Sequence, residues 1–187
     1  MITLADITGS EAISDDLCSV AFNVYRSALD YSWFELEPKI DFDVLAGEGS
    51  GGAFLAYGSG EIELRPVLHV TSEGAAGEIA TNLDELLGIL LNLPYWEDIL
   101  KFSGDGDLNE MRKTARIMQR EYERNDADIL AACDRLKGVL PIPPLRDPVR
   151  AFHDAIHRTT CRVVARDGSY FGSLFNSFKP SDNPNWQ

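Results

Sequence analysis

The sequence has few of the residues that announce a chemistry. It has three cysteines in 187 residues, Cys18, Cys133 and Cys161. They are odd in number and lack the paired spacing of a metal knuckle, so neither a disulfide framework nor a cysteine-rich metal site is read. No Gly-x-Ser-x-Gly elbow is present, and the cysteines fall at apolar positions, so nucleophilic catalysis has no anchor. Long hydrophobic runs are also missing. The most apolar stretch, Leu83 to Leu93, is too short to span a bilayer and carries Asp84 and Glu85. The N-terminus has no basic start followed by an apolar run, so no signal peptide is read. These absences lead to the expectation of a soluble, reduced, cytoplasmic protein that is not an enzyme and holds no metal or cofactor.

Positive charge is scarce, and its scarcity is uneven. Lys and Arg number 17 against 30 Asp and Glu, a net charge of −13. Residues 1–110 hold only four of the cations (Arg26, Lys39, Arg65 and Lys101) against 21 acids, a balance of −17. Residues 111–187 balance at +4. An acidic chain does not grip nucleic acid or anionic lipid in bulk, and it attracts a basic partner.

Apolar patterning outlines the elements. Leu17, Val20, Ala21, Val24 and Ala28 lie at helical spacing and predict a helix from Ser10 to about Tyr31. A turn is expected near Trp33, Phe34 and Pro38. Strands are expected from Ile40 to Leu45, Ala53 to Tyr57, Glu61 to Leu64 and Val67 to Val70, separated by the loops Gly47–Gly52 and Gly58–Gly60. Short connections favour an antiparallel meander. Thr81 and Asp84 open a helix with apolar residues nearly all round, ended by Pro94, with a short helix from Tyr95 to Phe102 after it. Gly104-Asp105-Gly106 reads as a linker. It is followed by helices from Asp107, from Asp126 and from Pro148 to His157, then by a hairpin around Asp167-Gly168 and a frayed tail. The fold class is therefore α+β: an antiparallel meander with an N-terminal helix and Leu-rich helices packed on it, then a helical extension with a short hairpin. Residues 1–103 form the first part and 104–187 the extension, packed together as one unit.

Each chemical reading has a plainer rival. Gly47–Gly52 is followed by Ala53-Phe54 in place of the Lys-Ser/Thr of a phosphate loop, and it enters a strand instead of a helix, so it reads as a hairpin loop. Ser72–Glu78 could precede a helix N-terminus and hold an anion, but Glu73 and Glu78 argue for a tight turn. His153, His157 and Cys161 are spaced four apart, yet a convincing third ligand is lacking. Arg112, Arg116, Arg120 and Arg124 form a stripe that either meets phosphate or docks on the acidic first half, with local pairs such as Arg120 with Glu123.

The stretch from Trp33 to Phe102 resembles the SUKH superfamily of bacterial immunity proteins and fungal cell-wall regulators. The residues that carry the likeness are Gly52-Ala53-Phe54-Leu55-Ala56, Pro66-Val67-Leu68-His69-Val70, Ser72 to Ala80, Asn82-Leu83-Asp84-Glu85-Leu86-Leu87 and Leu93-Pro94-Tyr95-Trp96-Glu97-Asp98. Asp147 to Phe175 looks like an extension that some bacterial members carry. The resemblance implies an α+β fold and a binding role, most often neutralising a toxin by direct contact. It transfers no catalytic signature. Taken with the charge, it makes a basic toxin, such as a nuclease, the expected partner. The expected contacts are the outward carboxylates Asp41, Asp43, Glu48, Glu61 and Glu63. A regulatory or scaffold module binding another cellular protein is the alternative.

Overall fold

The computed structural model describes residues 1–186. In chain order the elements are α1 (Leu4–Thr8), α2 (Glu11–Cys18), β1 (Phe34–Glu37), β2 (Phe42–Gly47), β3 (Ala53–Tyr57), β4 (Val67–Val70), β5 (Ala75–Ala80), α3 (Leu83–Asn92), α4 (Trp96–Lys101), α5 (Leu108–Asn125), α6 (Ala127–Val139), α7 (Pro148–His157), β6 (Arg162–Ala165) and β7 (Gly172–Ser173). The protein is α+β. Strands β2 to β5 form an antiparallel meander in sequence order, and β7 adds to β5 in parallel. A separate ribbon pairs β1 with β6, setting Phe34 opposite Ala165 and Glu37 opposite Arg162.

The meander is covered on both faces, so β3 and β4 are buried at every residue. Strand alternation assigns the two sides. Phe54, Ala56 and Val67 join the core formed with α3, α4, α5 and α7. Ala53, Leu55, Tyr57, Leu68 and Val70 pack with Phe34, Leu36, Cys161 and Val163 of the β1/β6 ribbon. The result is three layers: helices, sheet and ribbon. Helix α3 lies in the middle of the helical layer, with seven of its ten residues buried, as the apolar residues all round it require. Its N-cap is Asn82, one residue after Thr81; the Thr81 N–H and hydroxyl both donate to Glu85 at 2.6 Å.

Several expectations need correction. The helix expected from Ser10 to Tyr31 stops at Cys18, and Ala21 sits at φ 65°. Val20, Phe22 and Val24 are drawn into the core by a turn and a 3-10 turn (Val24–Arg26) instead, with Asn23 and Gly47 exchanging both backbone hydrogen bonds at 3.0 Å. Phe34–Glu37 is a strand, where a turn was expected, because β6 supplies its partner from far along the chain. Glu61–Leu64 is no strand: Ile62–Leu64 form a 3-10 turn, and Leu64 is exposed. Ser72–Gly74 is the tight turn expected, with Gly74 at φ 88°, but Ala75–Ala80 beyond it form strand β5, which was not expected.

Residues 104–106 are not a free linker. The Gly104 N–H donates to Phe178 O at 2.8 Å and the Asp105 N–H to Asn176 O at 2.9 Å. The tail is tied down as well, since Trp186 packs on Phe102 with ring centroids 4.6 Å apart. The extension completes both sheets, giving β6 to the ribbon and β7 to the meander. Among the described residues, no helix is long and apolar enough to cross a membrane.

Candidate functional site

The five carboxylates expected to face a partner do not form one surface. Asp41 and Glu61 are exposed. Asp43 is ion-paired with Arg65, whose second guanidinium nitrogen donates to Gly58 O. A cation therefore sits in the middle of that face and cancels part of its field. Glu63 accepts a hydrogen bond from the Leu4 N–H at 3.3 Å and helps anchor the N-terminus. Glu48 is the clear correction. It lies at the opposite end of β2 and is only 5% exposed, so it is not an outward loop carboxylate.

Glu48 is instead the inner wall of a cleft of about 510 Å³ at the end of the meander. Strand β2 delivers Glu48, β4 delivers His69, and the first turn of α4 delivers Trp96 and Glu97. The segment Ser173 to Asn176, just beyond β7, closes the far side. His69 is 1% exposed and packs against Phe54 and Trp96, with ring centroids 4.9 Å from each. Its Nε2 lies 3.5 Å from Glu48 Oε1, outside good hydrogen-bond geometry, and its Nδ1 has no partner. Buried imidazole nitrogens are normally satisfied, so this one needs an explanation. The backbone at Gly52 makes room for Glu48, since a Cβ there would lie 1.9 Å from Glu48 Oε1.

The two glutamates divide one proton. Burial alone would raise the Glu48 carboxyl. Its pairing with His69 and hydrogen bonds from Ser50 and Glu97 outweigh that and hold it below the usual carboxylate range. Glu97, on the solvent-exposed lip, is crowded by its neighbours. Desolvation, then the charge and hydrogen bond of Glu48, then Asp98, push it up to about 7. Two adjacent carboxylates in a partly dry site behave this way because ionising both is costly.

Glu97 also borders a second hollow of about 310 Å³, shared with Asp98, Tyr95, Tyr122, Gly49 and the chain from Cys18 to Ala21. Burial and nearby acids raise Tyr95 and Tyr122 to about 12 each, and burial raises Asp98 against the charge of Lys101. The Tyr95 hydroxyl donates to Gln119, whose amide donates to Glu123, both at 2.9 Å. Glu97, Asp98, Glu123 and Asp126 make no ion pair with any described residue. The outcome is an acidic strip around Tyr122, with Glu97 and Asp98 on α4 and Glu123 and Asp126 at the end of α5.

The remaining motifs fall elsewhere. Arg112 pairs with Asp147 and Arg124 with Glu121, both within the extension, while Arg116 and Arg120 line an open groove beside Leu93 and Val149. The expected Arg120–Glu123 pair does not form. Arg135 and Arg158 are the residues that dock the extension on the acidic half, through Asp16 and Glu78. His153 and His157 do meet, Nε2 to Nε2 at 3.1 Å, with Gly106 O 3.0 Å from His153 Nε2. Cys161 lies apart from them, in the ribbon-side core. Among the described residues, no group of three or more His, Cys, Asp or Glu side chains is placed to hold a metal ion.

Comparison of the chain with protein-family models, with curated proteins and with solved structures gave no match in any of the three.

Proposed function

We propose that the chain is a non-enzymatic protein-binding module of the immunity type, which neutralises a basic toxin, such as a nuclease, by direct contact in the bacterial cytoplasm. The observation that carries this reading is the acidic group of Glu97, Asp98, Glu123 and Asp126, none of which forms an ion pair with a described residue. A protein gains nothing in folding stability from like charges held together. Their arrangement makes sense when a basic surface covers them, steering encounter and fixing register. Tyr122, partly exposed, adds an amphipathic ring of the kind that interfaces favour. The resemblance of residues 33–102 to the SUKH superfamily supports a toxin as that basic surface.

The test is capture from the source cell with the wild-type chain and with a Glu123→Lys/Asp126→Lys variant, both sites being exposed. The wild type is expected to retain a basic protein that arrests growth when expressed alone, and co-expression of the chain should restore growth. The double reversal is expected to lose both retention and rescue, mainly through slower association. If a toxin is held equally well by both forms, the strip is not the interface. If the retained basic protein does not arrest growth, the reading moves to a regulatory or scaffold module.

A further inference from the structure

We propose that the cleft between Glu48 and Glu97 is a receptor for a single arginine side chain of the bound protein, its guanidinium seated over the edge of His69. This deepens the protein-binding reading and rests on it. Three observations converge. First, His69 is 1% exposed, lines the cleft, and has an Nδ1 without a partner and an Nε2 only loosely engaged. A polar ring left this way in the native state marks a site whose partner comes from outside the chain. Second, Glu48 is 5% exposed and has no lysine or arginine within ion-pair distance, its neighbours being His69, Ser50 and Glu97. Third, among the described residues Lys101 is the only lysine or arginine lining the cleft, yet it lies 5.6 Å from the Phe102 ring centre and pairs with neither glutamate.

The shape of the cleft selects among cations. Its donor set is not arranged for a metal ion. Trp96, Leu100, Leu174 and Phe175 supply apolar wall for an alkyl stem, and Glu48, Glu73 and Glu97 supply carboxylates. Arginine matches that combination of a long apolar stem and a flat, multiply donating head, which can bridge two carboxylates and lie against an aromatic ring. The strained proton-sharing of Glu48 and Glu97 is relieved when a cation arrives, because both can then ionise. A lysine ammonium neutralises charge as well but cannot span both carboxylates in one plane.

The experiment is an NMR titration of the isotopically labelled full chain at pH 7 with acetyl-Gly-Arg-Gly-amide. The matching lysine and citrulline peptides serve as arms. The arginine peptide is expected to give saturable shifts at His69, at the Trp96 indole N–H and at the Glu97 carboxyl. The lysine peptide should bind several-fold more weakly and the citrulline peptide not at all. Glu97→Gln, at the exposed lip, is expected to weaken arginine binding roughly tenfold while leaving the spectrum otherwise folded. Glu48→Gln should do the same if it folds, and the lip variant decides the matter if it does not. Equal shifts from the citrulline peptide, unsaturable shifts spread over all exposed carboxylates, or a lysine peptide that binds as tightly would each overturn the proposal. The Glu123→Lys/Asp126→Lys variant lies outside the cleft and should bind the peptide normally. Its loss of toxin with retained peptide binding separates failure of this site from failure of the wider interface.

Discussion

At the scale of single residues, Glu97 sets a pH dependence whose sign can be worked out. Its folded pKa, about 7, lies above its unfolded value near 4.5. Between those two values the folded state holds a proton that the unfolded state has released, so stability falls as pH rises through this window. The side chain is solvent-exposed, and screening keeps the effect below about 1 kcal/mol. Glu48 works in the opposite sense. Its folded pKa is depressed, so its contribution is present above the unfolded value and is lost only at lower pH, as the folded pKa is crossed. Urea midpoints measured from pH 5 to 7 should therefore decline in the wild type, and Glu97→Gln should flatten that decline. An unchanged slope in the variant would place the titrating group elsewhere. This site was only partly legible beforehand. Glu48 stood out as a charged loop residue, but its burial depends on Gly52 and on the strand beside it. His69 and Glu97 were legible only as members of the family-like motifs Pro66–Val70 and Leu93–Asp98, with no pairing expected of them. Nothing local brings residues 48, 69 and 97 together. The sheet register and the placement of α4 do that.

At the scale of elements, local chemistry carried the reading wherever it decided the outcome. Asp107 caps α5 through the N–H groups of Asn109 and Glu110, and Pro148 opens α7, both as patterned, with Asp147 as the α7 N-cap. Strands β3 and β4 begin and end where their apolar runs do. The errors arose where a distant partner decided. Helix α2 ends early because a turn, the bridge of Asn23 with Gly47 and a 3-10 turn bury Val20, Phe22 and Val24 instead. Strand β1 exists only because β6 pairs with it. The short parallel addition of β7 to β5 is of the same kind, and Leu174 holds it in place. Leu174 is 6% exposed, and its side chain packs over Gly77, which any Cβ would crowd at 3.1 Å. Leu174→Ala is expected to cost about 2–4 kcal/mol in urea unfolding, as large-to-small core changes do. It should also raise amide exchange at Gly172, whose N–H donates to Gly74 O at 2.7 Å. Because Ser173 to Asn176 wall the cleft, the same variant should bind the arginine peptide less tightly. A full stability loss with unchanged exchange at Gly172 would show that Leu174 supports α7 and not the added strand.

At the scale of the whole molecule, the break in charge balance near residue 106 does not mark a break in the structure. The acidic half lacks the means to cover its own sheet. Leu55, Tyr57, Leu68 and Val70 turn to the ribbon side, where Cys161 and Val163 of the extension complete the layer. On the helical side, Met111, Ala115, Phe152 and Ile156 close the core around α3 and Trp96. The Tyr57 hydroxyl donates to the buried Glu78 at 2.7 Å, and Arg158 reaches the same carboxylate at 3.6 Å, so the extension also compensates a charge that the first half buries. Removing one partner from a buried charge is costly, as is uncovering two faces of one sheet. Residues 1–103 produced alone should therefore lack a cooperative thermal transition and bind a hydrophobic dye. The full chain should unfold in a single transition reported alike by far-UV and near-UV circular dichroism. A fragment 1–103 that melts cooperatively would make the extension an appendage. The contacts argue otherwise: the basic half supplies the scaffold that holds the acidic strip and its cleft rigid, and any grip on a basic partner depends on residues far along the chain from those that touch it.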